Sequence, residues 1–230
     1  MKIEVLSDTD AVAQRAAEFI ADTARQAVAD RGKFTFAVSG GRTPWQMLRA
    51  LGLLAMPWEN THLYQVDERV APHGDPDRNL THIGESLLAY VPFAPGHVHA
   101  MPVETPDLTA AAARYAQELA AVTGPPPVLD LVHLGLGPDG HTASLVPGDP
   151  ALAVVDAAVA LTEPYQGHRR MTLTFPVLDR ARCVLWVITG AEKVPMLARL
   201  VRRDLTIPAG RVAQDRAVIL TDAAAAAGLR

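Results

Sequence analysis

The sequence predicts an α/β fold built on a mostly parallel sheet that is covered on both faces. Three observations predict it. Strand-like and helix-like segments alternate along the chain, and several strands are near-continuous apolar runs, such as Val128 to Leu134 (broken only by Asp130 and His133) and Cys183 to Ile188. A strand buried on both faces reads this way, and helical crossovers supply the cover. Polar, glycine-rich turns follow two of these strands, at Ser39-Gly40-Gly41 and Gly135 to Gly140.

Taken in order, Met1 to Leu6 has the pattern of a short strand, and Asp10 to Arg31 is a long alanine-rich helix stopped by Gly32. Further strands are predicted near 34–38, 61–66, 128–134, 153–161, 170–174, 183–188 and 217–220. Helices are predicted near 44–52, 79–89, 107–122, 190–202 and 222–229. Pro44 suits a first helical turn, with Arg42 or Thr43 near the cap. Gly124-Pro125-Pro126-Pro127 is a stiff connector into a strand, not a domain boundary. Prolines and glycines between 144 and 170 mark a surface excursion. At 230 residues and 49% hydrophobic, the chain can bury a substantial core, and residues 1–230 are expected to form a single domain.

Composition excludes several classes. The net charge is −4 with no basic stripe, so no nucleic-acid footprint is present. The single cysteine, Cys183, forms no intramolecular disulfide and fits a reducing compartment; its apolar surroundings predict a buried, inert thiol. No apolar stretch approaches the ~20 residues of a membrane span, and the amino terminus is too short and acidic for a signal sequence. A soluble cytoplasmic protein is expected. The eight histidines are scattered without a metal-ligand spacing, and His97-Val98-His99 is read as a sheet edge or loop, so no metal is expected.

Three polar clusters then stand out. Ser39-Gly40-Gly41-Arg42-Thr43 lies between a strand and a helix, where backbone amides and the helix dipole make an anion site. It lacks the spacings of nucleotide and dinucleotide loops, so a small phosphate ester fits better; read alone, it could equally be a plain turn. Asp67-Glu68-Arg69 follows a second strand, with Arg78-Asn79 shortly after it. Gly135-Leu136-Gly137-Pro138-Asp139-Gly140-His141-Thr142 follows a third. An acid and an imidazole two residues apart in such a turn can serve catalysis or structure. On parallel strands the three clusters would meet on one rim.

Together these residues resemble the glucosamine-6-phosphate isomerase/6-phosphogluconolactonase family, and within it the lactonase branch. Five blocks carry the resemblance, in family order: Ser39 to Pro44, Asp67 to Arg69, Gly135 to Leu145, Arg170 to Thr174, and Gly190 to Lys193. The resemblance implies a three-layer α/β/α fold like that of the sugar-phosphate isomerases. It also implies hydrolysis of 6-phospho-D-glucono-1,5-lactone to 6-phosphogluconate in the oxidative pentose phosphate pathway, with no cofactor. The implied partner is that small-molecule lactone, and the sequence is compatible with a monomer without fixing the oligomeric state.

Such a reaction needs a phosphate anchor, a base for water and donors for the oxyanion. His141 is the expected base, since imidazole titrates near ~6.5 and is largely neutral at cytoplasmic pH. Asp67 is favoured as the carboxylate that orients it, with Asp139 the alternative and a possible brace of its own turn. The phosphate is expected against Ser39, Gly40 and Gly41, with Arg42 and Thr43 beside them and Arg69 and Lys193 as cationic partners. Arg170 is a further candidate, which could exchange roles with Arg169. Asn79 is kept, whereas Arg78 stands where many members have serine, so it either adds charge near the phosphate or points to solvent. His133 is read as structural. The isomerase branch carries a glutamate five residues after the histidine; here that position is Val146, which cannot relay a proton. A non-catalytic sugar-phosphate sensor would usually carry a DNA-binding module, for which this chain has no room.

Overall fold

The apolar runs become the parallel strands of one sheet, and their alternation of side-chain direction divides the core in two. The computed structural model describes residues 1–229. The strands are β1 (Lys2–Leu6), β2 (Phe34–Val38), β3 (Thr61–Gln65), β4 (Asp67–Arg69), β5 (Val98–His99), β6 (Leu131–Leu134), β7 (Val159–Leu161), β8 (Arg170–Leu173), β9 (Val184–Ile188) and β10 (Ala217–Asp222). The helices are α1 (Thr9–Arg31), α2 (Arg42–Gly52), α3 (Asn79–Ile83), α4 (Leu108–Thr123), α5 (Phe175–Arg180), α6 (Val194–Val201) and α7 (Pro208–Arg211). A seven-stranded parallel sheet runs β1-β10-β9-β6-β2-β3-β5.

Phe34, Phe36, Val38, Leu185 and Val187 pack on one face against the alanine-rich side of α1 and against α2. Ala37, Val132, Leu134, Trp186 and Ile188 pack on the other, under α4, α5 and α6. The Asp8 carboxylate caps α1 by accepting from the Ala11 amide at 2.9 Å, and Gly32 ends it at φ 76°.

Four expectations change. Asp67-Glu68-Arg69, expected only to follow a strand, itself forms β4, the edge of a second, antiparallel sheet ordered β4-β8-β7. Only Val66 separates β3 from β4, and the Val66 carbonyl accepts from the Leu173 amide at 2.8 Å, tying the two sheets together. The strand expected over 153–161 shrinks to β7, because Pro150–Ala153 closes a helical turn capped by Asp149. Similarly, the helix expected over 222–229 is a single tight turn, Ala225–Gly228. The helix expected over 79–89 is α3 followed by a wider turn, Gly84–Leu88.

Candidate active site

The chain winds outward from β2 in two directions: through β3 to β5 on one side, and from β6 through β9 to β10 on the other. The reversal falls between β2 and β6, and a crevice opens there beyond the carboxyl ends of the strands. A cleft of about 780 Å³ occupies the place. Ser39, Gly40, Gly41, Arg42, Thr43, Asp67, Arg69, Asn79, His141, Arg170 and Lys193 all line it. Asp139 sits behind His141, and Arg78 is outside the lining.

The loop after β2 enters α2 directly. Gly41, at φ 129°, is the capping residue, and no side chain caps the helix. The amide end of α2 therefore opens into the cleft without a protein acceptor on its cap. Gly40 allows the loop to lie against Asn79: a Cβ there would fall 1.9 Å from Asn79 Oδ1. Thr43 shares a hydroxyl–hydroxyl bond of 2.8 Å with Thr189, which ties the helix start to the end of β9. Ser39 departs from expectation, because its amide donates to His133 Nδ1 at 3.2 Å and is unavailable to a ligand. His133 is fully buried, and desolvation pushes its pKa down to about 3. It is a neutral structural imidazole, as expected, and it holds the first residue of the anion loop.

The turn after β6 seats the imidazole. Gly137 donates its amide to the His141 carbonyl at 2.8 Å, and Gly140 closes the turn at φ 84°. His141 Nδ1 lies 2.5 Å from Asp139 Oδ1. A carboxylate only accepts, so Nδ1 carries a proton, and in the neutral ring the lone pair falls on Nε2. Asp139 also accepts from the His141 amide at 3.1 Å and from the Tyr165 hydroxyl at 3.1 Å. Burial pushes its pKa up, but these bonds and the facing imidazole outweigh that and hold it below the usual carboxylate value.

Asp139, not Asp67, is thus the carboxylate that orients His141. Asp67 is buried and committed elsewhere: it accepts from Ser144 Oγ at 2.6 Å, and its backbone carbonyl accepts from Asn79 Nδ2 at 2.9 Å. Asp139, the alternative orienting carboxylate and possible turn brace of the sequence reading, fills both places: one of its oxygens serves both the amide and the ring.

Glu68 organises the second cluster. It is fully buried and accepts from Gln65 Nε2 and from the amides of Arg69, Asn79 and Leu80, at 2.8 to 2.9 Å. Arg78 is its counter-ion at 3.1 Å and also pairs with Glu104 at 2.7 Å. With 2% exposure, Arg78 neither lines the cleft nor points to solvent. Its charge neutralises a buried carboxylate. Arg69 instead turns to the cleft and donates to Asp77 O and Asn79 Oδ1, both at 2.8 Å.

Antiparallel pairing sets Arg69 directly opposite Arg170. Arg170, not Arg169, enters the cleft. Its guanidinium lies 5.0 Å from the Tyr165 ring centroid, and desolvation lowers its pKa. Arg42, Gln46 and Arg49 line the cleft from successive turns of α2, and Lys193 lines it as well. Gln46 and Arg49 were not among the expected site residues, although their helical spacing with Arg42 was a signal that could have found them; Tyr165 carried no such signal. Val146 is buried and absent from the lining. Cys183 is only half-buried, with its thiol pushed up to about 11 by desolvation.

Fold and rim together define a class: α/β enzymes that hold a small anionic substrate where a parallel sheet reverses its winding. The chain belongs to the glucosamine-6-phosphate isomerase/6-phosphogluconolactonase family, whose description it matches over residues 7–220. A 6-phosphogluconolactonase of Nostoc sp. is 34% identical over 235 residues, covering 99% of this chain and 98% of that protein. One from Synechocystis sp. is 36% identical over 203 residues, covering 86% of this chain and 84% of that one. The crystal structure of a 6-phosphogluconolactonase from Thermotoga maritima matches with a TM-score of 0.86 at 28% identity, covering 96% of this chain and 98% of that chain.

Proposed function

We propose that this protein hydrolyses 6-phospho-D-glucono-1,5-lactone to 6-phosphogluconate, the activity of the relatives it resembles, with His141 as general base. The observation that carries the mechanism is the Asp139–His141 pair, which leaves Nε2 as the proton acceptor in a cleft lined with cations. Nε2 takes a proton from water as its oxygen attacks the lactone carbonyl carbon. As the tetrahedral intermediate collapses, the bond from that carbon to the ring oxygen breaks. The imidazolium returns its proton to the leaving oxygen, and the new carboxyl group ionises to solvent.

The phosphate lies at the Gly40–Gly41 end of α2 with Arg42, Lys193 and Arg69 as counter-charges. Arg170, the cross-strand neighbour of Arg69, adds a further counter-charge beside it and stacks on Tyr165 next to the dyad. We read residues 1–230 as one catalytic unit working in a reducing, cytoplasmic setting in the oxidative pentose phosphate pathway. The test is a coupled assay with freshly generated lactone, corrected for spontaneous hydrolysis. H141N is expected to lower kcat by ~10²–10⁴ with KM little changed. An H141N enzyme that keeps wild-type kcat refutes the base assignment.

A further inference from the structure

Tyr165 joins the two halves of the site, and nothing in the general-base mechanism uses it. It opens a two-residue hairpin turn in which its amide donates to the His168 carbonyl at 2.9 Å. The central residues, Gln166 and Gly167, both have positive φ, 51° and 87°. That is the turn geometry matching the twist of paired strands, and it fixes where the first residue of the turn points. His168 pins the turn from outside, with Nε2 3.0 Å from Asp77 Oδ2. From this base the Tyr165 ring reaches the dyad. Its hydroxyl lies 3.1 Å from Asp139 Oδ2, and its ring meets the His141 ring edge-on with centroids 5.6 Å apart. On the other face lies the guanidinium of Arg170, whose Nη2 also donates to Gln166 Oε1 at 3.3 Å and to Tyr165 O at 3.4 Å.

We propose that Tyr165 is a positioning residue for the base: its hydroxyl occupies one oxygen of Asp139 so that the other stays aligned on His141 Nδ1. This rests on the reading of His141 as the base. A carboxylate held at a single oxygen can pivot about its terminal bond, whereas donors at both oxygens fix its plane. The hydroxyl also withdraws charge from the carboxylate. Without it, Asp139 presents more negative charge to the ring and favours the protonated imidazole. The charged groups around the pair are Arg170 over the tyrosine ring, Arg69 across from it on β4, and Asp67 two residues along β4, across from Thr172. A phenylalanine at 165 preserves the ring under Arg170 and removes only the donor.

Y165F is the test, read three ways. Expected are a fall in kcat of about 3- to 10-fold with KM unchanged, and an acidic limb of the pH–rate profile moved upward by a few tenths of a pH unit. In the substrate-free protein, the imidazole proton resonances of His141 should titrate later by the same interval. Y165A, which also strips the support from Arg170, should lose more in kcat and raise KM as well. A Y165F protein whose His141 titration and acidic limb both match the wild type overturns the proposal, whatever its rate. Because the resonance titration needs no turnover, it reads the Tyr165–Asp139–His141 coupling independently of the base assignment, which H141N tests on its own.

Discussion

Gly137 decides where the His141 imidazole can sit. A methyl added there would lie 2.1 Å from His141 Nδ1 and 2.2 Å from its Cε1. Ordinary carbon contacts need ~3.5 Å, so in G137A the ring must retreat by roughly 1.3 Å. Gly137 does not use the left-handed backbone region, so alanine fits the chain itself. The ring, at the end of a rotatable side chain, moves instead of the fold. That displacement stretches the 2.5 Å contact with Asp139 beyond a useful hydrogen bond and withdraws Nε2 from its water. Misplacing a catalytic group by 1 Å costs on the order of 10²-fold. G137A should therefore lose about 100-fold in kcat in the fresh-lactone assay, with KM and the thermal midpoint close to wild type. A G137A enzyme with normal kcat and a normal melting curve would show that the position of this ring does not govern the rate, and the reasoning fails.

Three further outcomes follow from the same geometry. K193A should raise KM for the phosphorylated lactone by roughly 10- to 100-fold and leave the non-phosphorylated lactone unaffected; equal losses on both would place Lys193 in the chemistry or the fold. R78M leaves the fully buried Glu68 without its counter-ion and should cost about 3 kcal/mol in urea unfolding; a raised KM with unchanged stability would return Arg78 to the phosphate site. Acid should unfold the protein in a window set by its buried imidazoles. His133 and His62 are held near about 3 and about 4 by desolvation, against ~6.5 in the unfolded chain. The unfolded state then binds more protons, so stability is complete above pH ~6.5 and falls as pH drops toward 3. His133 alone contributes up to roughly 5 kcal/mol of that loss, and the partly exposed His62 less. H133Q should flatten the slope of unfolding free energy against pH between 6 and 4; an unchanged slope would show that His133 is not the titrating group.

The parallel sheet was legible because the runs around Val132 and Leu185 are apolar on both faces, which only a covered strand requires. The glycine turns were legible because they interrupt those runs abruptly. Which carboxylate meets His141 was not: Asp67 and Asp139 both follow strands, and only the fold shows Asp67 already satisfied by Ser144. Arg69 and Arg78 are equally charged in the sequence, yet one faces the cleft and the other neutralises Glu68. The second sheet was legible in part: strands were expected at β8 and, over too long a span, at β7, whereas β4 is three charged residues with no apolar period to read. Tyr165 lies in a segment with no period at all, where position comes from a turn and not from a pattern.

The antiparallel ladder between β4 and β8 has a consequence for how the site comes into being. Asp139 and His141 belong to one turn, so their pairing needs only local closure once β6 is in place. Arg69 and Arg170 are cross-strand neighbours from distant parts of the chain, and the cation pair cannot exist until β8 has left the ribosome and folded back on β4. A nascent chain ending before residue 170 contains the residues of the dyad and of the loop after β2 but lacks Arg170, Lys193 and the strands β8, β9 and β10. The complete cation-lined cleft is therefore a late event of synthesis, because its last contributors lie in the final third of the chain.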